Sequence, residues 1–232
     1  MKKILALILV LAITMCASAA MAAGKLSVEQ ENFYAIQSYS LYGYAYAKVA
    51  NVGDKPIKVN TALLEVFNTD GDALTSTDYY SAYAKYLQPD EYTYVRLYDE
   101  IEDVEASDVD DYMLTVTGKA DSDYESRRFA CTTSYETNVK ESSYYTRNYM
   151  YATYTNNTEE PVYDISVVMA LLDEQGNILY MDDSSLYSDT ALMPGSSITV
   201  RKDVSSNFIE YFEKNGLVPV SVDAIAYANV AK

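Results

Sequence analysis

Residues 38–96 recur, without a gap, 105 positions further along the chain. The step places Tyr39 on Tyr144, Tyr44 on Tyr149, Tyr46 on Tyr151, Asn51 on Asn156 and Pro56 on Pro161. It also places Gly71 on Gly176, Asp78 on Asp183, Leu87 on Leu192, Pro89 on Pro194 and Val95-Arg96 on Val200-Arg201. A fixed step that keeps turn residues in register predicts one structural unit used twice. It also supplies an internal comparison. Columns alike in both copies are expected to be scaffold, and columns that differ are where function can reside.

Within each copy, turn signals separate short stretches with strand-like composition and little helical periodicity, which predicts an all-β sandwich. In the first copy, strands are expected over 41–51, 57–68, 73–80, 92–98 and 112–118, with turns at 52–56, 69–72 and 87–90. Alternate strand residues face opposite ways. Ala62, Leu64 and Val66 align with Val167, Met169 and Leu171, so this column is the expected core face, joined by Val95 and Val200 and by the Thr93/Ile198 column. The copies differ near residue 207, where Asn207 and Glu210 suggest a helix start. Phe208, Tyr211 and Phe212 then share one face, and Asn215-Gly216 can stop the helix. A short helix acting as a lid over the end of the second sandwich is expected. The polar stretch 119–126 marks the boundary, giving 23–124 and 125–232 as two domains of about 100 residues each. A linker this short predicts that the two sandwiches touch.

Before the repeat, Lys2 and Lys3, the apolar run Ile4 to Ile13 and Ala20-Met21-Ala22 read as a cleaved secretory signal peptide over residues 1–22. The apolar run is too short to span a bilayer. Met15 is bulky where a lipoprotein site before Cys16 would take a small residue, which argues against lipidation. The expected location is outside the cytoplasm, secreted or held at the cell envelope, with no membrane insertion after cleavage. The net charge of −17 becomes −19 when the leader takes away two lysines and no acid. Such a surface disfavours nucleic acid and anionic lipid as partners. An extracellular protein or a cell-wall glycan remains. Only Cys131 would survive cleavage, so no internal disulfide can form. It lies in a strand-like run and is expected to be buried and inert.

The runs Leu64-Glu65-Val66-Phe67-Asn68-Thr69-Asp70-Gly71 and Met169-Ala170-Leu171-Leu172-Asp173-Glu174-Gln175-Gly176 resemble the FxLYD-type domains of secreted bacterial proteins. So do the openings Asn51 to Pro56 and Asn156 to Pro161, and the turns Leu87-Gln88-Pro89 and Leu192-Met193-Pro194-Gly195. At the naming motif, Leu64 or Met169 stands for the Phe, and Phe67 or Leu172 for the Tyr. The resemblance covers about half of each copy. It implies two tandem immunoglobulin-like β-sandwiches, extracellular and without catalysis, and it assigns no site residue.

The chain has no histidine, which removes Ser–His and Cys–His pairs and imidazole-bound zinc. There is no glycine-rich phosphate loop, and no carboxylate pair stands out for glycoside hydrolysis. The expectation is a non-enzyme with no cofactor and no metal. Acids cluster at 68–72 and 108–111, where calcium is conceivable. However, Gly71 falls at the fourth loop position and no Glu closes the loop, so turn chemistry and a solvated acidic loop explain them.

Composition points instead to tyrosine: 25 Tyr and no Trp. Tyr39, Tyr44 and Tyr46 recur and are expected to be scaffold. Tyr79, Tyr80, Tyr83, Tyr86, Tyr92 and Tyr94 meet Ser184, Ser185, Ser188, Ala191, Ser197 and Thr199. Tyr92 and Tyr94 share the strand face opposite inward Val95. The expectation is an exposed tyrosine surface on the first copy, with Tyr79, Tyr80, Tyr83, Tyr92 and Tyr94 as candidate ligand-binding residues. Flat rings with a hydroxyl suit recognition of sugar or protein.

Overall fold

The computed structural model describes residues 24–186 and 189–232. The signal-peptide reading and Cys16 lie outside them.

Among the described residues the chain is all-β apart from one helix and one 3-10 turn. Its first part runs through β1 (Leu26–Gln37), β2 (Leu41–Asn51), β3 (Ile57–Asn68), β4 (Ala73–Thr77), β5 (Tyr80–Ala82), β6 (Tyr86–Leu87), β7 (Tyr92–Ile101) and β8 (Val109–Ala120). Then come β9 (Tyr124–Lys140), β10 (Thr146–Thr155), β11 (Ser166–Leu172), β12 (Ile178–Ser185), β13 (Ser197–Asp203), α1 (Ser206–Asn215) and β14 (Ser221–Ala231). In the first part, a β1-β2-β7-β5 sheet faces a second sheet in which β3 pairs with β4, β6 and β8. In the second part the order is β12-β11-β14-β9-β10-β13. The long β9 joins the two halves of that path. Up to Phe129 it pairs with β14, and from Ala130 it pairs with β10. A strand that changes sheets in this way turns the corner of a sandwich.

β3 shows how sequence sets the layers. Ile57, Val59, Ala62, Leu64 and Val66 are all buried. The step from Val59 to Ala62 breaks the two-residue period. A bulge between Val59 and Thr61 takes up the extra residue and returns the apolar side chains to the core. These residues, with Ala45, Ala47, Val95 and Leu97, form a buried cluster made only of first-part side chains. The expected core column is fully buried in the second part too, at Val167, Met169 and Leu171. Val95 and Thr93 are buried, while Ile198 and Val200 are half-buried against the core.

Bonds recur at the same step as residues. Asn51 is buried and donates from Nδ2 to the carbonyls of Lys55 (2.9 Å) and Leu87 (3.2 Å), while its Oδ1 accepts from Gly53 N (3.0 Å). Asn156 does the same with Glu160 (2.8 Å), Leu192 (2.7 Å) and Thr158 N (2.9 Å). Ala47 faces Val95 and Ala152 faces Val200. Leu64 faces Thr77 and Met169 faces Asp182. The step changes once. Leu64 faces Leu114, but Met169 faces Ala224, which is 110 positions on from Leu114. The five extra residues enter the segment that holds α1, where the first part has only the 3-10 turn Ala106–Asp108.

α1 begins after Ser205, ahead of the expected cap at Asn207, and ends at Gly216, whose φ of 67° suits a residue without a side chain. It is not a lid on one sandwich. The Phe208 ring lies 4.9 Å from Tyr44 and 4.8 Å from Tyr180, so the helix wedges between the two parts. The larger buried cluster is shared. Tyr34, Ile36, Tyr46, Tyr83, Ala84 and Tyr94 of the first part pack with Val168, Ala170, Ile225 and Tyr227 of the second. That is why β11, from Val167 to Leu171, is buried on both faces. The sandwiches touch as the short linker implied, through a continuous apolar layer.

Candidate functional site

The tyrosine-rich face of the β1-β2-β7-β5 sheet is built by alternation. On β2 and β7, Tyr44 faces Tyr98, Tyr46 faces Arg96 and Lys48 faces Tyr94. The residues between them, including Ala45, Ala47, Val95 and Leu97, point into the first-part core. The face assignment for Tyr92 and Tyr94 therefore holds, but its environment does not. Tyr94 is 2% exposed and Tyr83 6%, because the second part covers this face. The expectation that these two rings form a solvent surface is corrected by that burial. Tyr92, half-buried, belongs to the same covered layer.

Polar groups of the second part meet the covered hydroxyls. Tyr92 and Tyr94 both donate to Asp223 Oδ2, at 2.7 and 2.6 Å. Tyr83 donates to Asp183 Oδ1 at 2.8 Å, and Arg96 reaches the same oxygen at 3.2 Å. Tyr34 donates to the carbonyl of Ile178 at 2.8 Å. Burial pushes the Tyr34 phenol up to about 12. It raises Tyr83, Tyr92 and Tyr94 further, aided at Tyr92 and Tyr94 by the Asp223 charge and hydrogen bond and at Tyr83 by Asp183. These phenols stay protonated donors at neutral pH.

The comparison between copies now has a physical reason. In the second part the same face carries exposed Ser197, Thr199 and Arg201 on β13. Hydroxyl pairs run across it, Thr153–Thr199 and Thr155–Ser197, both at 2.7 Å. A face that abuts another sandwich needs rings, and the same face open to water takes polar residues, as in the end units of stacked arrays.

The remaining candidates separate. Tyr80 is half-buried and donates to the carbonyl of Asn60 at 2.6 Å, within its own part. Tyr86 stacks on Tyr124 at 5.2 Å. Tyr79 is 70% exposed. It meets Tyr98 edge-on at 6.3 Å, Tyr98 stacks with Tyr44 at 6.1 Å, and Tyr44 lies 6.1 Å from Tyr42. This row runs from Tyr42 and Tyr44, half-buried and in Tyr44's case packed on Phe208, to Tyr98 and Tyr79 at the exposed end of the tyrosine face. Tyr44 recurs as Tyr149, whereas Tyr42 and Tyr98 also differ between the copies, opposite Arg147 and Asp203, yet are not among the expected candidates. Their signal was alternation along β2 and β7. The recurring Tyr39 and Tyr144, expected as scaffold, are fully exposed in the hairpin loops.

Among the described residues no group of three or more Cys, Asp or Glu is placed to hold a metal. Asn68 Oδ1 accepts from the backbone of Asp70 (3.0 Å) and Asp72 (2.8 Å), which is turn chemistry. Cys131, on β9, is half-buried. Burial, with the Asp223 charge second, pushes its thiol up to about 11, away from the reactive thiolate.

Compared with known proteins, the chain matches no family model, and no curated protein matches it at a significant level.

Proposed function

We propose that the chain is a secreted, non-catalytic protein of two tandem immunoglobulin-like β-sandwiches that serves as an extracellular binding or structural module. The observation that carries this reading is the pair of matching Asn51 and Asn156 bond sets, set in two sandwiches joined by one buried layer. Such a body is rigid and presents fixed surfaces. The leader-like pattern at residues 1–22 supports export. Among the described residues no helix is long and apolar enough to cross a membrane.

A second reading, favoured by the row Tyr42-Tyr44-Tyr98-Tyr79, is a cell-wall glycan-binding module that uses the first-part tyrosines. Ring faces offer apolar area and the hydroxyls offer polar contacts. Co-sedimentation with purified bacterial cell-wall sacculi tests it. The parent is expected to bind saturably, and Tyr79→Ala with Tyr98→Ala to lose about tenfold or more in affinity, since each exposed ring contributes about 1 kcal/mol. Equal binding by parent and variant would remove these tyrosines from the site. No binding by either would turn the search to protein partners.

A further inference from the structure

The insertion that makes α1 also makes a cleft. It has a volume of about 920 Å³ and lies between α1, the β9–β10 hairpin and the turn at 217–219. Tyr135, Tyr145 and Tyr180 contribute rings to its lining, with Phe212 and Leu217 adding apolar surface. Its size suits a small ligand.

Charge narrows the ligand. The lining carries Asp182, Asp203, Glu210 and Glu213 against a single cation, Arg147. Arg147 is already paired with Asp203 and lies over the Tyr145 ring at 5.6 Å, which leaves Tyr135 and Tyr180 as the lining tyrosines with no cation over them among the described residues. Asp182 is met by Lys202 at 3.4 Å and by Arg96 at 4.0 Å. Glu210 and Glu213 form no ion pair among the described residues. Two uncompensated carboxylates therefore stand on the helix beside aromatic walls. An anion would be repelled, and a neutral ligand would leave the charge unused. A cation on an apolar stem meets both features, since ring faces and carboxylates each attract positive charge.

The first part has a smaller cleft at the matching place, about 460 Å³, between the β1–β2 hairpin with Tyr39 and residues 100–108. Its lining includes Glu100, Glu102, Asp103, Glu105 and Asp108, and no Lys or Arg. The sign of the charge is thus kept at this position in both parts, although the segments that build it differ.

We propose that the cleft beside α1 is a binding site for an organic cation, an ammonium or guanidinium group carried on an apolar stem. The site is separate from the tyrosine row and stands or falls without it. The probe is hexylammonium, with hexanol as its neutral counterpart, titrated into the ¹⁵N-labelled protein. Hexylammonium is expected to shift the amides of Asn138, Asn148, Ile209 and Leu217, and hexanol at the same concentration to leave them nearly in place. Glu210→Gln with Glu213→Gln should weaken hexylammonium binding about tenfold. Both side chains are exposed, and an otherwise unchanged spectrum verifies that the variant is folded. Equal shifts from hexanol, parent-like binding by the double variant, or no movement of these amides would overturn the proposal.

Discussion

Tyr94→Ala lowers the free energy of unfolding by about 4 kcal/mol. The ring is 2% exposed in the layer shared by the two sandwiches, so truncation leaves a cavity between them. It also removes one of two phenol donors from Asp223, leaving Tyr92 alone on a half-buried carboxylate. Tyr79→Ala, at the exposed end of the same face, is expected to change stability by less than about 0.5 kcal/mol. Urea denaturation measures both, with the midpoint read at constant slope. Tyr94 lies within β7 and Tyr79 in the connection between β4 and β5, so Tyr79→Ala serves as the reference for loss of an exposed ring. A loss below about 1 kcal/mol for Tyr94→Ala would mean that this layer is not packed as described.

Asn51→Ala and Asn156→Ala are each expected to cost about 3 kcal/mol. Each amide bridges two carbonyls and accepts the backbone N–H two residues on, while Asn51 Oδ1 also accepts from Lys25 N (3.4 Å) and Asn156 Oδ1 from Thr158 Oγ1 (2.7 Å). Alanine would leave those groups buried without partners, and a water has little room where both side chains are 0% exposed. The second part of the test is equality. Thermal or urea unfolding should show losses within about 1 kcal/mol of one another, because the two carbonyl bonds and the N–H bond two residues on match at both sites. A large loss at one and none at the other would contradict a shared structural unit.

Strand positions were legible because they rest on local chemistry. The turns at 52–56 and 69–72, together with alternating apolar residues, placed β2 and β3 to the residue. β1 and most of β9 were not read. Their polar side chains, as in Glu29-Gln30-Glu31-Asn32 and Glu136-Thr137-Asn138, carry no apolar alternation, and pairing with neighbouring strands holds them extended. The tyrosine columns were recognised as different between copies, and their strand face was right. What covers that face was not legible, because Asp183 and Asp223 come to it from strands about 100 residues away or more. Asp183 aligns with Asp78 and was counted as scaffold, yet it bonds Tyr83 and Arg96 across the interface. The same docking explains α1. Its apolar face was visible in Phe208 and Phe212, but the Tyr44 ring that meets Phe208 belongs to the other sandwich.

The second sandwich covers the tyrosine face of the first and leaves one end open. Residue-resolved nitration with tetranitromethane, read by mass spectrometry, tests this most directly. Nitration needs an accessible phenolate, so burial protects both by sterics and by raising the phenol pKa. Tyr39, Tyr79 and Tyr144 are expected to be modified rapidly, and Tyr46, Tyr83 and Tyr94 to stay protected until the protein unfolds. Modification of Tyr83 and Tyr94 in the folded protein at the rate of Tyr79 would contradict that coverage.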